Sequence, residues 1–301
     1  MKEYIFNVET VSPLMLGNAD SQPELRATAV RASARYWFRA TAGAVIGDTS
    51  TQTIFNMEKA VFGCAKEGSP ISIFIPNVTL NPYTEKILPH KDEKDHPGHR
   101  KAYRANVSFT ITVSARHTSR DVWDCALAMM ELALTFGGLG LRARRGYGTL
   151  CISNITLNQT KDWKPYIENV IENAVSSVKA LADSMSLTVL SSPPNGPCSF
   201  PCGNKKSIVR IGNNVYSSSM KAIISFMQGV PKVDYLGYGR GKDQRQASPL
   251  WIRPIETGGN KYQLLFISLP SNFTGSDYTK LSVFLNTKHP GTDIPVGGWN
   301  Q

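Results

Sequence analysis

Residues 136–150 read FGGLGLRARRGYGTL, with Gly137, Gly138, Gly140, Gly146 and Gly148 set around Arg142, Arg144 and Arg145. Glycine admits positive φ and lets a second backbone come close, so the run predicts a tight loop. Arginine adds a planar fork of donors that suits phosphate. The chemistry this combination points to is binding of a phosphate backbone; the competing reading is a structural turn with solvated arginines. Residues 138–143, GLGLRA, match the G-x-G-x-x-A string of dinucleotide sites. Their context is reversed, because a helical pattern precedes the string and a strand pattern follows it. The Lys-Ser/Thr of a phosphate-binding Walker loop is missing too.

Residues 24–40, ELRATAVRASARYWFRA, form a second constellation. Arg31, Arg35 and Arg39 recur at i, i+4 and i+8, a stripe with steps of about 6 Å along a helix axis. Like charges at that spacing weaken a helix slightly, so partners are expected. Val30, Ala34, Trp37 and Thr41 make a second stripe that belongs in a core. Arg35, Tyr36, Phe38 and Arg39 interleave charge with rings, as single-stranded RNA binding requires: charge for phosphates, rings for bases.

Residues that could cut RNA are scattered. His90, His96 and His99 cluster at 86–104, KILPHKDEKDHPGHRKAYR, a charged run punctuated by Pro and Gly. General acid–base work needs tuned pKa values, and this run predicts an exposed, mobile loop. Asp20, in GNADSQ, reads as a turn or cap residue. His117 and His289 stand alone. Asp92, Glu93 and Asp95 could hold a cation by composition, but their lysine neighbours favour a solvated charge loop.

The elements that would position these residues follow from periodicity. Residues 4–11 read as a strand and 27–45 as a helix with Thr28 as its cap. Residues 70–80 and 106–116 alternate and are rich in β-branched side chains, the pattern of strands. Residues 119–136 predict a second helix, with Val122, Ala126, Met129, Ala133 and Phe136 on one face. Residues 149–157 then close a β-α-β-β-α-β order, the ferredoxin-like pattern of an α+β fold. In the second half, helices are expected at 165–185, 218–228 and 276–286, and strands at 207–216, 250–256 and 262–270. Residues 235–248, YLGYGRGKDQRQAS, are another Gly/basic segment feeding a strand, which suggests a diverged duplication.

With 301 residues, two domains are expected, at 1–160 and 161–301. A formal net charge of +10 favours polyanionic partners, most simply nucleic acid, but charge alone does not beat the reading of a merely basic soluble enzyme. Cys64, Cys125, Cys151, Cys198 and Cys202 are odd in number, and buried free thiols are expected for Cys125 and Cys151. Cys198 and Cys202 lack a second Cys or His pair at zinc spacing, which leaves a structural zinc site as the weaker alternative. The first residues, MKEYIFNVETV, contain no signal-peptide core, and no stretch reaches the length of a membrane span. A reduced, cytoplasmic protein without cofactor or membrane partner is the expectation.

The Gly/Arg loop and the arginine helix resemble signatures of the RAMP superfamily of CRISPR-associated proteins. There an early E-L-R precedes an arginine/tryptophan helix, and a G-G-L-G-x-R-x-R-R-G-x-G loop recurs. Within that superfamily the resemblance is greatest to the first RAMP subunit of the Cmr (type III-B) effector complex. Gly237, Gly239, Arg240 and the run from Arg245 to Pro249 resemble that subunit's second-half motif. The chain departs from the pattern at Ala32, where glycine is usual. The resemblance implies two tandem ferredoxin-like (RRM-like) domains and a non-catalytic role. It implies a place near the 3′ region of the guide RNA, contact with other RAMP subunits of the complex, and a hold on guide or target single-stranded RNA. The candidate RNA-binding residues are Arg26, Arg31, Arg35, Arg39, Gly138, Gly140, Arg142, Arg144, Arg145, Arg240, Lys242 and Arg245. The alternative is a RAMP endoribonuclease that uses Asp20 or the His90/His96/His99 loop.

Overall fold

The structure is a computed structural model that describes residues 1–17, 22–47, 51–76, 81–91, 98–153, 162–196, 198–231, 233–236, 238–240, 244–271, 278–295 and 299. It is a mixed α/β protein with two four-stranded antiparallel sheets. The first sheet is built from β1 (Lys2–Thr10), β2 (Ser72–Phe74), β5 (Ser108–Ala115) and β6 (Leu150–Ile152), in the order β2-β5-β1-β6. All three of its pairings are antiparallel. Alternation decides the inner face: Phe6 and Val8 of β1 and Ile111 and Val113 of β5 are buried.

Helices α1 (Ala27–Ile46) and α3 (Arg120–Phe136) pack on that face. The apolar stripe of α1 is buried as the spacing predicts, with Val30, Ala34, Trp37 and Thr41 all fully enclosed. The helix begins two residues earlier than a cap at Thr28 would require. Arg26 stands at its cap without a side-chain cap bond. On α3 the cap is Ser119, whose hydroxyl accepts from the Val122 N–H at 3.3 Å. Helix α4 (Trp163–Ser184) lies against α1 and α3 through Ile167, Val170, Ile171, Ala174 and Val178, spaced at three and four residues.

The second sheet takes β7 (Ile208–Gly212), β10 (Leu250–Gly258), β11 (Lys261–Ser268) and β12 (Gly291–Asp293), in the order β10-β11-β7-β12. With α5 (Ser219–Gly229) and α6 (Tyr278–Lys288) between strands, it repeats the strand order of the first sheet. Both faces of this sheet are covered. Trp251, Leu265 and Ile267 pack into the large core shared with the first half, while Ile252, Leu264 and Phe266 pack with Phe226 and Leu285 on the other side. Trp37 stacks on Trp299 at 6.1 Å and lies 5.5 Å from Trp251, so one α1 ring joins both halves.

Six elements depart from the sequence expectation. Helix α2 (Thr51–Phe62) and strand β12 were not foreseen. The charged run at 86–104 is not simply a loop: β3 (Tyr83–Lys86) and β4 (His99–Ala102) pair as an antiparallel ribbon. Its pairing is main-chain hydrogen bonding, which charged side chains can flank without giving an apolar alternation. The Gly/basic segment at 235–248 holds a second ribbon, β8 (Tyr238–Arg240) with β9 (Gln244–Gln246). Among the described residues, no helix is long and apolar enough to cross a membrane.

Candidate nucleic-acid interface

The glycines of the loop at 136–150 serve its packing. Gly140 has φ 80°, and a Cβ there would lie 2.2 Å from the Met15 carbonyl oxygen. Gly148 has φ 62°, and a Cβ there would lie 1.9 Å from the Leu139 oxygen. The close approaches are used: Leu141 N–H donates to Met15 O at 2.9 Å, Gly148 N–H to Pro13 O at 2.8 Å, and Leu139 N–H to Gly148 O at 3.0 Å. The buried Ser12 hydroxyl donates to Gly146 O at 2.6 Å. Gly138 sits 3.0 Å, at its Cβ position, from the Tyr147 oxygen. The loop is thus laced to residues 12–16, which follow β1.

Its three arginines diverge. Arg144 lies over two rings, 4.9 Å from the Trp251 centroid and 5.4 Å from that of Tyr36, and donates to the Ser248 carbonyl. Arg145 donates to Leu236 O at 3.1 Å and lies 5.9 Å from the Phe226 ring. Burial, and then Arg142 and Arg144 beside it, lower the Arg145 pKa to about 10. Both side chains therefore reach into the second half. Arg142, at φ 60°, has a side chain that makes no hydrogen bond or ion pair among the described residues and is half-buried beside Tyr147, burial lowering its pKa. Of the three, it is the one left to meet a ligand.

The arginine stripe of α1 finds the partners its spacing demands. Arg35 Nε donates to Glu58 Oε1 at 2.5 Å, and Arg39 Nη1 donates to Glu58 Oε2 at 2.7 Å. Glu58, on α2, is only 2% exposed. One carboxylate holds two guanidiniums, so the cluster keeps a net positive charge, and the Arg39 side chain is 45% exposed. Arg31 donates to Ile71 O at 3.1 Å, and burial, with Arg35 nearby, lowers its pKa. Arg26 donates to Gly17 O at 2.9 Å. Ala32 faces outward.

Between α1 and α2 these residues border a groove of about 390 Å³ lined by Arg35, Arg39, Thr51, Ile54, Phe55, Glu58 and Phe200. Phe55 is 41% exposed. Guanidinium edges beside an open aromatic face can hold a phosphate and a base together. The rings expected for that task do not serve it: Phe38 is fully buried against Phe62, and the Tyr36 hydroxyl accepts from Trp251 Nε1 at 3.3 Å. Phe55 was missed with its helix, although Ile54, Met57, Glu58 and Val61 recur at helical spacing.

The remaining candidates are dispersed. Arg240 lies on β8 and Arg245 on β9, the latter paired with Gly239. Lys242, Asp20, His96, Asp92, Glu93 and Asp95 lie outside the described residues. His99 is on β4, and His90 is in the turn after β3. All five cysteines are free thiols, with Cys125, Cys198 and Cys202 buried, and burial pushes the Cys125 thiol up. Among the described residues, no group of three His, Cys, Asp or Glu could hold a metal ion.

A family model described as the RAMP superfamily matches residues 7–151, the span that contains both α1 and the Gly/Arg loop. The match bears out the RAMP resemblance of the sequence. The chain is 27% identical to the CRISPR system Cmr subunit Cmr1-1 of Pyrococcus furiosus, over 92% of this chain and 93% of that protein. It is 25% identical to Cmr1-2 of the same organism, over 50% of this chain and 95% of that protein. Its fold is similar to the apo crystal structure of Cmr1 from Pyrococcus furiosus, with a TM-score of 0.67, 21% identity, and coverage of 99% of this chain and 100% of that one. A chain in a cryo-EM structure of a type III-B Cmr-beta bound to cognate target RNA and AMPPnP matches with a TM-score of 0.65 and 12% identity, over 94% of this chain and 97% of that one.

Proposed function

We propose that this protein is a non-catalytic RNA-binding subunit of a type III-B (Cmr) CRISPR effector complex acting in antiviral defence. In this reading the two sheets belong to tandem ferredoxin-like domains, residues 1–160 and 161–301. The subunit contacts the 3′ region of the guide RNA, target single-stranded RNA, or both, and sits against another RAMP subunit. The similarity to Cmr1-1 over nearly the whole length of both chains supports membership of the complex. The observation that carries RNA binding is the groove between α1 and α2, where Arg35 and Arg39 share Glu58 beside the exposed Phe55 ring. A polyanion would meet the surplus charge of that cluster, and a base would stack on the ring. Contacts of this kind follow the backbone and carry little sequence preference.

The test is binding of a labelled single-stranded RNA by the full chain across a salt series. Arg39→Ala should weaken binding and reduce the salt slope by roughly one unit, and Phe55→Ala should cost about 1–3 kcal/mol with the slope kept. Glu58→Gln, which removes the competing carboxylate, should tighten binding and steepen the slope. Unchanged affinity in a folded Arg39→Ala/Phe55→Ala double variant would remove the groove from the RNA path.

A further inference from the structure

Phe74, on the edge strand β2, is 61% exposed, more than any other large apolar side chain of the described residues except Met1. Alternation decides which way it faces. Ile73 packs on the core, so Phe74 belongs to the opposite, outer face of the first sheet. Phe74 pairs with Thr112 of β5, and Thr112 pairs in turn with Ile5 of β1, itself 44% exposed. Three strands thus set an aromatic ring, a threonine and an isoleucine in one row about 10 Å long. An exposed apolar row that reaches a sheet edge invites association, and sheets without a partner normally carry charge there.

The charge on this face is the reverse of the chain's. Glu3 and Glu9 lie on the same side of β1 as Ile5 and bracket the row, about 20 Å apart. The other strand positions of the face are Ser, Thr, Asn and Cys, with no Lys or Arg, in a protein of net charge +10. Carboxylates without cations repel a phosphate backbone, so the face does not extend the RNA groove. Nor does it suit a second copy of the chain, because a two-fold pairing of such faces sets carboxylates against carboxylates. Four strands at about 4.8 Å spacing, some 20 Å long, offer a few hundred Å², against the roughly 800 Å² per partner of a free-standing complex. A face of that size fits one contact within an assembly that other contacts also hold.

We propose that the outer face of the first sheet docks a neighbouring protein subunit, whose contact surface is apolar at its centre and carries Lys or Arg opposite Glu3 and Glu9. Such docking rests on the reading of the chain as a Cmr-type subunit, and gives that reading a surface and a partner chemistry. The Phe74 ring and the Ile5 side chain leave water on docking, and the two carboxylates set the register and steer the encounter.

The experiment assembles the full chain with the other protein subunits of the type III-B complex and a guide RNA, and reads its occupancy by native mass spectrometry. Phe74→Asp should weaken incorporation about tenfold or more. Glu3→Lys/Glu9→Lys should weaken it more at low salt than at high salt. Affinity of the isolated variants for single-stranded RNA should match that of the parent, which neither a folding defect nor an RNA site on this face would allow. Should Phe74→Asp fail to fold, Phe74→Thr, which suits a strand, takes its place. Parent-like occupancy of the folded variants would overturn the docking surface and leave the subunit reading intact. Exclusion of the parent itself from the complex would overturn that reading, and the docking with it. Loss of RNA affinity in Phe74→Asp, or a parent dimer that this variant dissociates in sedimentation, would assign the face to RNA or to a second copy and equally overturn the proposal.

Discussion

Arg144 holds its guanidinium over the ring of Trp251, 4.9 Å from the centroid, and so fastens the Gly/Arg loop to the second sheet. The backbone follows the side chain: Ile252 N–H donates to Arg144 O at 3.2 Å, and Arg145 forms a parallel bridge with Ile252. The loop that reads as a phosphate cradle is therefore also a joint. Its glycines bring it against residues 12–16, and two of its arginines reach across to β10 and η1 (Asp234–Leu236). Such a division of labour explains why three adjacent basic residues take such different environments.

Replacing Arg144 by lysine keeps the charge and loses the planar fork and its stacking. Arg144→Lys should destabilise the chain by about 1–2 kcal/mol, read as a lower urea midpoint at unchanged slope. Arg142→Ala, which removes no hydrogen bond among the described residues, should stay within about 0.5 kcal/mol. Equal losses in the two variants would mean that Arg144 is not a joint.

The long amphipathic elements are legible because their periods are strong. The buried stripe of α1 and the inward face of α3 both follow from spacing alone. The need for a partner to Arg35 and Arg39 is legible as well, since stacked like charges call for one. Its identity is not, because Glu58 lies nineteen positions past Arg39 on a helix whose polar first turn hides the period. Chemistry lost to packing is the other illegible part. Phe38 and Phe55 are the same residue type, and only the fold buries one and exposes the other. Arg253 falls within the strand expected at 250–256, and nothing local says that both sides of β10 are covered.

The lacing of the loop makes its left-handed glycines strict requirements. Gly148→Ala places a methyl carbon 1.9 Å from the Leu139 carbonyl oxygen at a φ that alanine disfavours, and neither side of the contact is a flexible side-chain end. A loss of about 3 kcal/mol or more is expected, seen as a collapse of the thermal transition or of soluble yield. Gly229→Ala, at the end of α5 with nothing within 4 Å of the added carbon, serves as the control and should be near neutral. A Gly148→Ala protein that melts with the parent would show that the loop can be rebuilt without its close contact to Leu139.

His289 gives the chain an acid-sensitive point outside the groove between α1 and α2. Its ring lies 5.1 Å from Phe226, 5.2 Å from Phe266 and 5.4 Å from Phe284, and burial lowers its pKa from 6.5 to about 4. Between those values the unfolded chain binds a proton that the folded chain refuses. Stability therefore falls as pH drops from about 6.5 towards 4, and below about 4 the folded state binds the proton too and the loss stops growing. The loss is on the order of 2 kcal/mol once solvent screening is allowed for. Other groups also titrate in this range, so the measurement is the difference between the parent and His289→Phe, whose ring suits the aromatic surroundings. Unfolding midpoints at pH 7.5 and pH 5 should diverge less in the variant. Identical pH slopes in the two proteins would show that His289 does not carry the effect.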